Sequence, residues 1–180
     1  MSRLPSLLLW KNFMKNGKLF TNLLKNIYNS NVNRIEKQEV FMKLISFVVP
    51  CYNSQEYMRH CIDTLLPGGD QVEILIVNDG SSDNTAAIAD EYEKKYPDIC
   101  RAIHQENKGH GGAVNTGIKN ATGIYLKVVD SDDWVNEYAY GEILDTLANF
   151  YKQGTVLDML LSNYVYEKQG AKKKTVIHYR

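Results

Sequence analysis

The sequence predicts an α/β domain built on a largely parallel sheet flanked by helices. Three observations point to it. Apolar runs at residues 44–49, 72–77 and 125–129 lack strict alternation, the pattern of strands covered on both faces. Segments with apolar residues at helical spacing separate them. Three of the runs end in polar clusters, which a parallel sheet gathers along one edge. Alternation of this kind requires right-handed crossovers.

The elements follow in order. Residues 44–49 form the first strand, closed by Pro50, and Ser54 offers a cap to a helix burying Tyr57, Met58, Cys61, Ile62, Leu65 and Leu66. The turn at residues 67–70 ends that helix, and 72–77 form the second strand. A polar loop over 78–83 leads into a helix with Ala87, Ile88, Tyr92 and Tyr96 on its apolar side, stopped at Pro97. Residues 99–104 make a weaker third strand. A glycine-rich loop at 109–112 then precedes a helix carrying Ala113, Val114, Gly117, Ile118 and Ala121. The fourth strand, from Tyr125, ends in Asp130, Asp132 and Asp133, and a helix is expected from Trp134 through Phe150. Residues 156–161 suit a further strand, and 164–166 with 176–177 suit a hairpin around Lys172–Lys174.

Charge is unevenly spread. Residues 1–41 hold seven Lys and Arg against two acids, and 42–180 hold fourteen against nineteen. The acidic globular part argues against a nucleic-acid binder that works by neutralising phosphates. The first segment is a basic amphipathic extension, a pattern compatible with an anionic membrane surface at the inner face of the cell membrane. It equally suits a helix packed on the domain or on a partner, or a stretch upstream of a natural start at Met42. Three cysteines without metal spacing fit free thiols in a reducing cytoplasm. No apolar run approaches the roughly 20 residues needed to span a bilayer.

Three carboxylates within four residues repel one another, and a divalent cation would offset that cost. Asp130 and Asp132 are hard oxygen donors of the kind Mg²⁺, Mn²⁺ or Ca²⁺ take, leaving room for the oxygens of a diphosphate. The competing reading is that Asp132 or Asp133 caps the following helix. Asp79 can accept an N–H from the edge of a base, or close an Asx-type turn. The amides at Gly109–Gly112 can approach an anion, or simply make a tight turn.

Taken together, Val48-Val49-Pro50-Cys51-Tyr52-Asn53, Val77-Asn78-Asp79-Gly80-Ser81-Ser82-Asp83, Asn107-Lys108-Gly109 with Asn115-Thr116-Gly117, and Asp130-Ser131-Asp132-Asp133 resemble the successive signatures of family 2 glycosyltransferases. The resemblance covers about residues 44–150 and implies a GT-A fold. It also implies a nucleotide-sugar donor (UDP-linked by family habit) and inverting transfer to the hydroxyl of a glycan or lipid-linked acceptor in bacterial surface-polysaccharide synthesis. Carried over by position, Pro50, Tyr52, Glu56, Asp79, Lys108 and Asp130 would serve the nucleotide, with Asp79 on the base. Asp132 with Asp130 would hold Mn²⁺ or Mg²⁺, and Asp133, His110 and Ser131 would lie near the sugar and diphosphate.

Two departures qualify the match. Val114 stands where many relatives carry Arg, so that cationic contact must come from elsewhere or be missing. No catalytic base is recognisable up to Arg180, and the family places it in the acceptor half. The expectation is therefore a donor-binding domain over 42–180, incomplete at its C-terminus, from a longer enzyme. The alternative is an inactive nucleotide-binding fragment or module. A dinucleotide-binding fold would need GxGxxG after the first strand, where Pro50-Cys51-Tyr52-Asn53 stands. An aspartyl-nucleophile phosphatase would have a small hydroxyl residue in place of Trp134, and a sugar nucleotidyltransferase a basic glycine-rich loop after the first strand.

Overall fold

The computed structural model describes residues 42–155, 157–167 and 174–179. The basic extension expected over 1–41 lies outside the described residues, as do Lys172 and Lys173 of the expected hairpin turn.

Four parallel strands form the sheet in the order β3-β2-β1-β4. They are β1 (Ile45–Cys51), β2 (Val72–Asp79), β3 (Cys100–Gln105) and β4 (Tyr125–Val128). The α/β expectation with a largely parallel sheet holds. Every residue of β1 and β2 is buried, which explains why these central strands read as unbroken apolar runs. Helices α1 (Met58–Leu65), α2 (Thr85–Lys95), α3 (Gly109–Asn120) and α4 (Glu137–Lys152) make the crossovers and the outer layers. Side chains from Phe47, Val49, Met58, Ile62, Ile74, Ile76, Tyr92, Tyr140 and Leu144 share one core. Val48, Leu75, Val77 and Ala113 form a second, under α3. A separate antiparallel pair, β5 (Tyr164–Tyr166) and β6 (Thr175–Ile177), matches the expected hairpin strands.

Several local expectations are corrected. Helix α1 begins at Met58, with Tyr57 at its N-cap and no side-chain cap. The Ser54 hydroxyl instead accepts the Tyr52 amide at 3.1 Å, and Tyr57, half exposed, lies off the buried face. The glycine-rich segment is the first turn of α3 and not a loop before it. Strand β4 is not covered on both faces. It pairs only with β1 at the sheet's edge among the described residues, and Leu126 and Lys127 are exposed. Helix α4 starts at Glu137, three residues after Trp134, because Asn136 caps it and accepts the Ala139 amide. Residues 157–161 form no strand.

Close approach of α3 to the sheet depends on Gly117. A Cβ there would come within 2.2 Å of Val48 Cγ1. The connection into β4 is fixed by a buried carboxylate. Glu73 Oε1 accepts from Ser46 Oγ at 2.5 Å, from the Thr122 amide and hydroxyl, and from the Gly123 amide at 3.2 Å. This cluster lies where β1 and β2 start, so it sets the register in which β4 delivers its acidic end to the opposite edge.

Candidate functional site

At the carboxyl ends of β1, β2 and β4, a cleft of about 480 Å³ opens. Its walls come from Pro50, Cys51, Tyr52 and Ser54 at and just after the end of β1, Asp79 ending β2, Asn107, Gly109 and His110 around the start of α3, and Asp130–Asp132 after β4. Ligands bind at such strand ends in open parallel sheets.

Asp79 is buried, 2 % exposed, and its carboxylate is held by a single oxygen. Oδ1 accepts Gln105 Nε2 at 2.6 Å and the Lys108 amide at 2.8 Å. Among the described residues Oδ2 has no such partner. The opposite wall is acidic and more open. Asp130 Oδ1 lies 2.9 Å from His110 Nε2, so a contact spans the mouth of the cleft from α3 to the β4 end. Ser131 Oγ shares a hydrogen bond with Ser54 Oγ at 2.8 Å. The acidic loop is held from behind by α1: the Val135 amide donates to Thr64 Oγ1 at 3.3 Å, and the His60 ring packs against Trp134 with centroids 5.2 Å apart.

Electrostatics set the character of this end. Burial, then the neighbouring Asp132 and Asp130, raises the Asp133 carboxyl above its ordinary value. Burial and the same three acids push the Cys61 thiol up to about 12. No Lys or Arg lines the cleft among the described residues. An acidic cleft of this kind repels a diphosphate unless a cation is bound as well. Among the described residues no group of three or more His, Cys, Asp or Glu could enclose a metal by itself. Two carboxylates with open space fit Mg²⁺ or Mn²⁺, which complete their shells with water and phosphate oxygens. The donor set therefore suits the ion the sequence implied.

Of the residues singled out from the sequence, Pro50, Tyr52, Asp79, His110, Asp130, Ser131 and Asp132 all line this cleft. Lys108 reaches it through its backbone amide on Asp79. Asp133 stands just behind, and its amide donates to the Asp130 carbonyl at 2.9 Å. Glu56 lies elsewhere, in a groove of about 440 Å³ between α1 and α2, with Arg59, Asn84 and Glu91. Gln105 was missed because the third strand was read as ending at His104. A polar residue in line with Asp79 on the neighbouring strand was the available signal.

Residues 46–173 match the family Glycosyl transferase family 2. The chain is 40 % identical over 122 residues to the uncharacterized glycosyltransferase EpsJ of Bacillus subtilis, covering 62 % of this chain and 35 % of that protein. It is 39 % identical over 124 residues to glycosyltransferase GlyG of Streptococcus pneumoniae, covering 68 % and 39 %. S. aureus TarS 1–349, crystallised in complex with UDP-GlcNAc, superposes with a TM-score of 0.53 at 26 % identity over 60 % of this chain and 32 % of that one. The chain thus spans less than two fifths of the length of these proteins. The parallel sheet, its order and these neighbours are those of the GT-A fold, and the chain belongs to the family 2 glycosyltransferases.

Proposed function

We propose that the chain is the donor-binding part of an inverting glycosyltransferase that holds a UDP-sugar through a divalent metal ion. The observation that carries this is the division of one cleft between a buried acceptor, Asp79, and an open acidic wall, Asp130 and Asp132. A base and a diphosphate need those two environments. S. aureus TarS, a neighbour in fold, has been crystallised with UDP-GlcNAc.

In this reading Pro50 and Tyr52 flank the nucleoside, and Asp79 accepts an N–H from the base. Asp130 and Asp132 would hold Mn²⁺ or Mg²⁺, which would supply positive charge against the negative charge growing on the departing diphosphate. The first-turn amides of α3 add partial positive charge on the other side. They take over part of the role an Arg at the Val114 position would have. His110 and Ser131 lie on the diphosphate and sugar side, and Asp133 stays behind the metal ligands. Glu56 is assigned no contact with the nucleotide, because its groove is separate. In the whole enzyme an acceptor hydroxyl attacks the anomeric carbon, the bond to the diphosphate breaks, and a base of the acceptor half takes the hydroxyl proton. The setting proposed is surface-polysaccharide synthesis on the cytoplasmic side of a bacterial membrane, with residues 1–41 at its inner face. Among the described residues no helix is long and apolar enough to cross a membrane.

Calorimetry of the chain with UDP tests the reading. Binding that requires Mn²⁺ or Mg²⁺ and disappears with EDTA is expected. Equal binding with and without metal sinks the metal assignment, and no binding in either condition sinks the donor-site reading.

A further inference from the structure

We propose that Gln105, backed by Thr116, is the positioning residue that fixes Asp79 as an acceptor-only reader of the nucleobase and so makes the site prefer a base with a ring N–H. This rests on the donor-site reading above.

The strands themselves place the pair. In the parallel register of β2 and β3, Asp79 stands opposite Gln105, so the two side chains share one face of the sheet. Gln105 Nε2 donates to Asp79 Oδ1 at 2.6 Å, and Thr116 Oγ1 donates to Gln105 Oε1 at 2.5 Å. The direction of this chain is forced. A carboxylate only accepts, so the amide must turn its NH₂ toward Asp79 and its oxygen away. The Thr116 hydroxyl, on α3, meets that oxygen and holds the amide against flipping. The Lys108 amide adds a second donor to the same oxygen. With Oδ1 taken twice and the side chain buried, the carboxylate cannot turn without breaking both bonds. Oδ2 alone remains for a ligand.

A fixed acceptor discriminates between pyrimidines. Uracil carries a hydrogen on N3 that it can donate. Cytosine carries a lone pair there, which would face the carboxylate oxygen. A site built to pair with an N–H rejects an analogue lacking it by a large factor, because its buried polar group is left unpaired. UDP and CDP bring the same diphosphate and the same metal requirement, so the ratio of their affinities isolates the base contact.

The experiment titrates UDP and CDP, each with Mn²⁺, into the full chain and into Gln105→Met, Thr116→Val and Thr116→Ser, with thermal melts confirming the fold. The wild-type protein should favour UDP by at least about tenfold. Gln105→Met and Thr116→Val should shrink that preference by about tenfold, whereas Thr116→Ser keeps it because the hydroxyl survives. If Gln105→Met fails to fold, the near-isosteric Thr116→Val carries the test. An unchanged UDP-to-CDP ratio in the folded variants overturns the inference, including when both nucleotides weaken equally, since that marks packing alone. A wild-type protein that binds UDP but shows no preference overturns it too and leaves the donor site standing. Binding of neither nucleotide overturns both.

Discussion

Asn136 Oδ1 accepts the amide of Ala139 at 3.0 Å, and this one contact relieves Asp132 and Asp133 of any duty as helix caps. The acids after β4 are thereby separated from the start of α4. Their proximity has a cost in repulsion and, in the described structure, no helix-capping return.

The first prediction uses that separation. Asp132→Ala should weaken metal-dependent UDP binding at least about tenfold, or ~1.4 kcal/mol. Its unfolding free energy should stay within about 0.5 kcal/mol of wild type, as for exposed sites that touch nothing critical. Asn136→Ala should do the reverse, costing about 1 kcal/mol of stability with UDP affinity retained. Calorimetry and urea unfolding on both variants check the pair. Loss of stability in Asp132→Ala would return that acid to a structural role.

A second prediction concerns acid stability. Burial works against the charge on Glu73, but hydrogen bonds from Ser46, Thr122 and Gly123 outweigh it and hold the carboxyl below its ordinary value. Its stabilisation is therefore complete above the unfolded-state value of about 4.3 and is lost as pH falls through the lower folded value. Glu73→Gln should cost about 1–3 kcal/mol at neutral pH, since four donors face a weaker acceptor. Below about pH 4.3 the gap to wild type should narrow. Urea midpoints across this range measure it, and a gap independent of pH would show that the carboxylate's charge is not what matters.

The third prediction tests how α3 is seated. Gly117→Ala pushes a methyl into Val48, so α3 must withdraw from β1, at about 1–3 kcal/mol. Because α3 brings Gly109 and His110 to the cleft, UDP binding should weaken with it. Gly111→Ala, on the same helix with nothing within 4 Å of the added carbon, should be neutral or stabilising by up to about 1 kcal/mol. Equal effects from the two would mean that helix propensity, and not the contact with Val48, controls this site.

The central strands and the polar residues at their ends were legible because burial on both faces leaves no ambiguity about where an apolar run stops. Asp79, ending β2, therefore came out at the edge of the sheet where the cleft opens. Leu126 did not come out as exposed, since apolar sequence cannot tell an edge strand from a central one. Glu56 was carried over by position from the family resemblance, with no reading of the local fold behind it. The turn entering α1 places it in the groove with Arg59 and Glu91. Gln105 carries no local signal at all. Its part in the site exists only through pairing with a residue twenty-six positions earlier.

The burial of the cysteines has a practical consequence. Cys51, Cys61 and Cys100 are free and buried, and burial, the largest cause in each case, raises all three thiols above their ordinary values, Cys61 and Cys100 to about 12. Thiolate is the form that maleimides attack, so the native protein should be nearly silent to alkylation. A single cysteine introduced at Tyr138, 77 % exposed in the first turn of α4, would then be the one position to take a dye. The chain can then carry one label at a known position without first removing any natural cysteine.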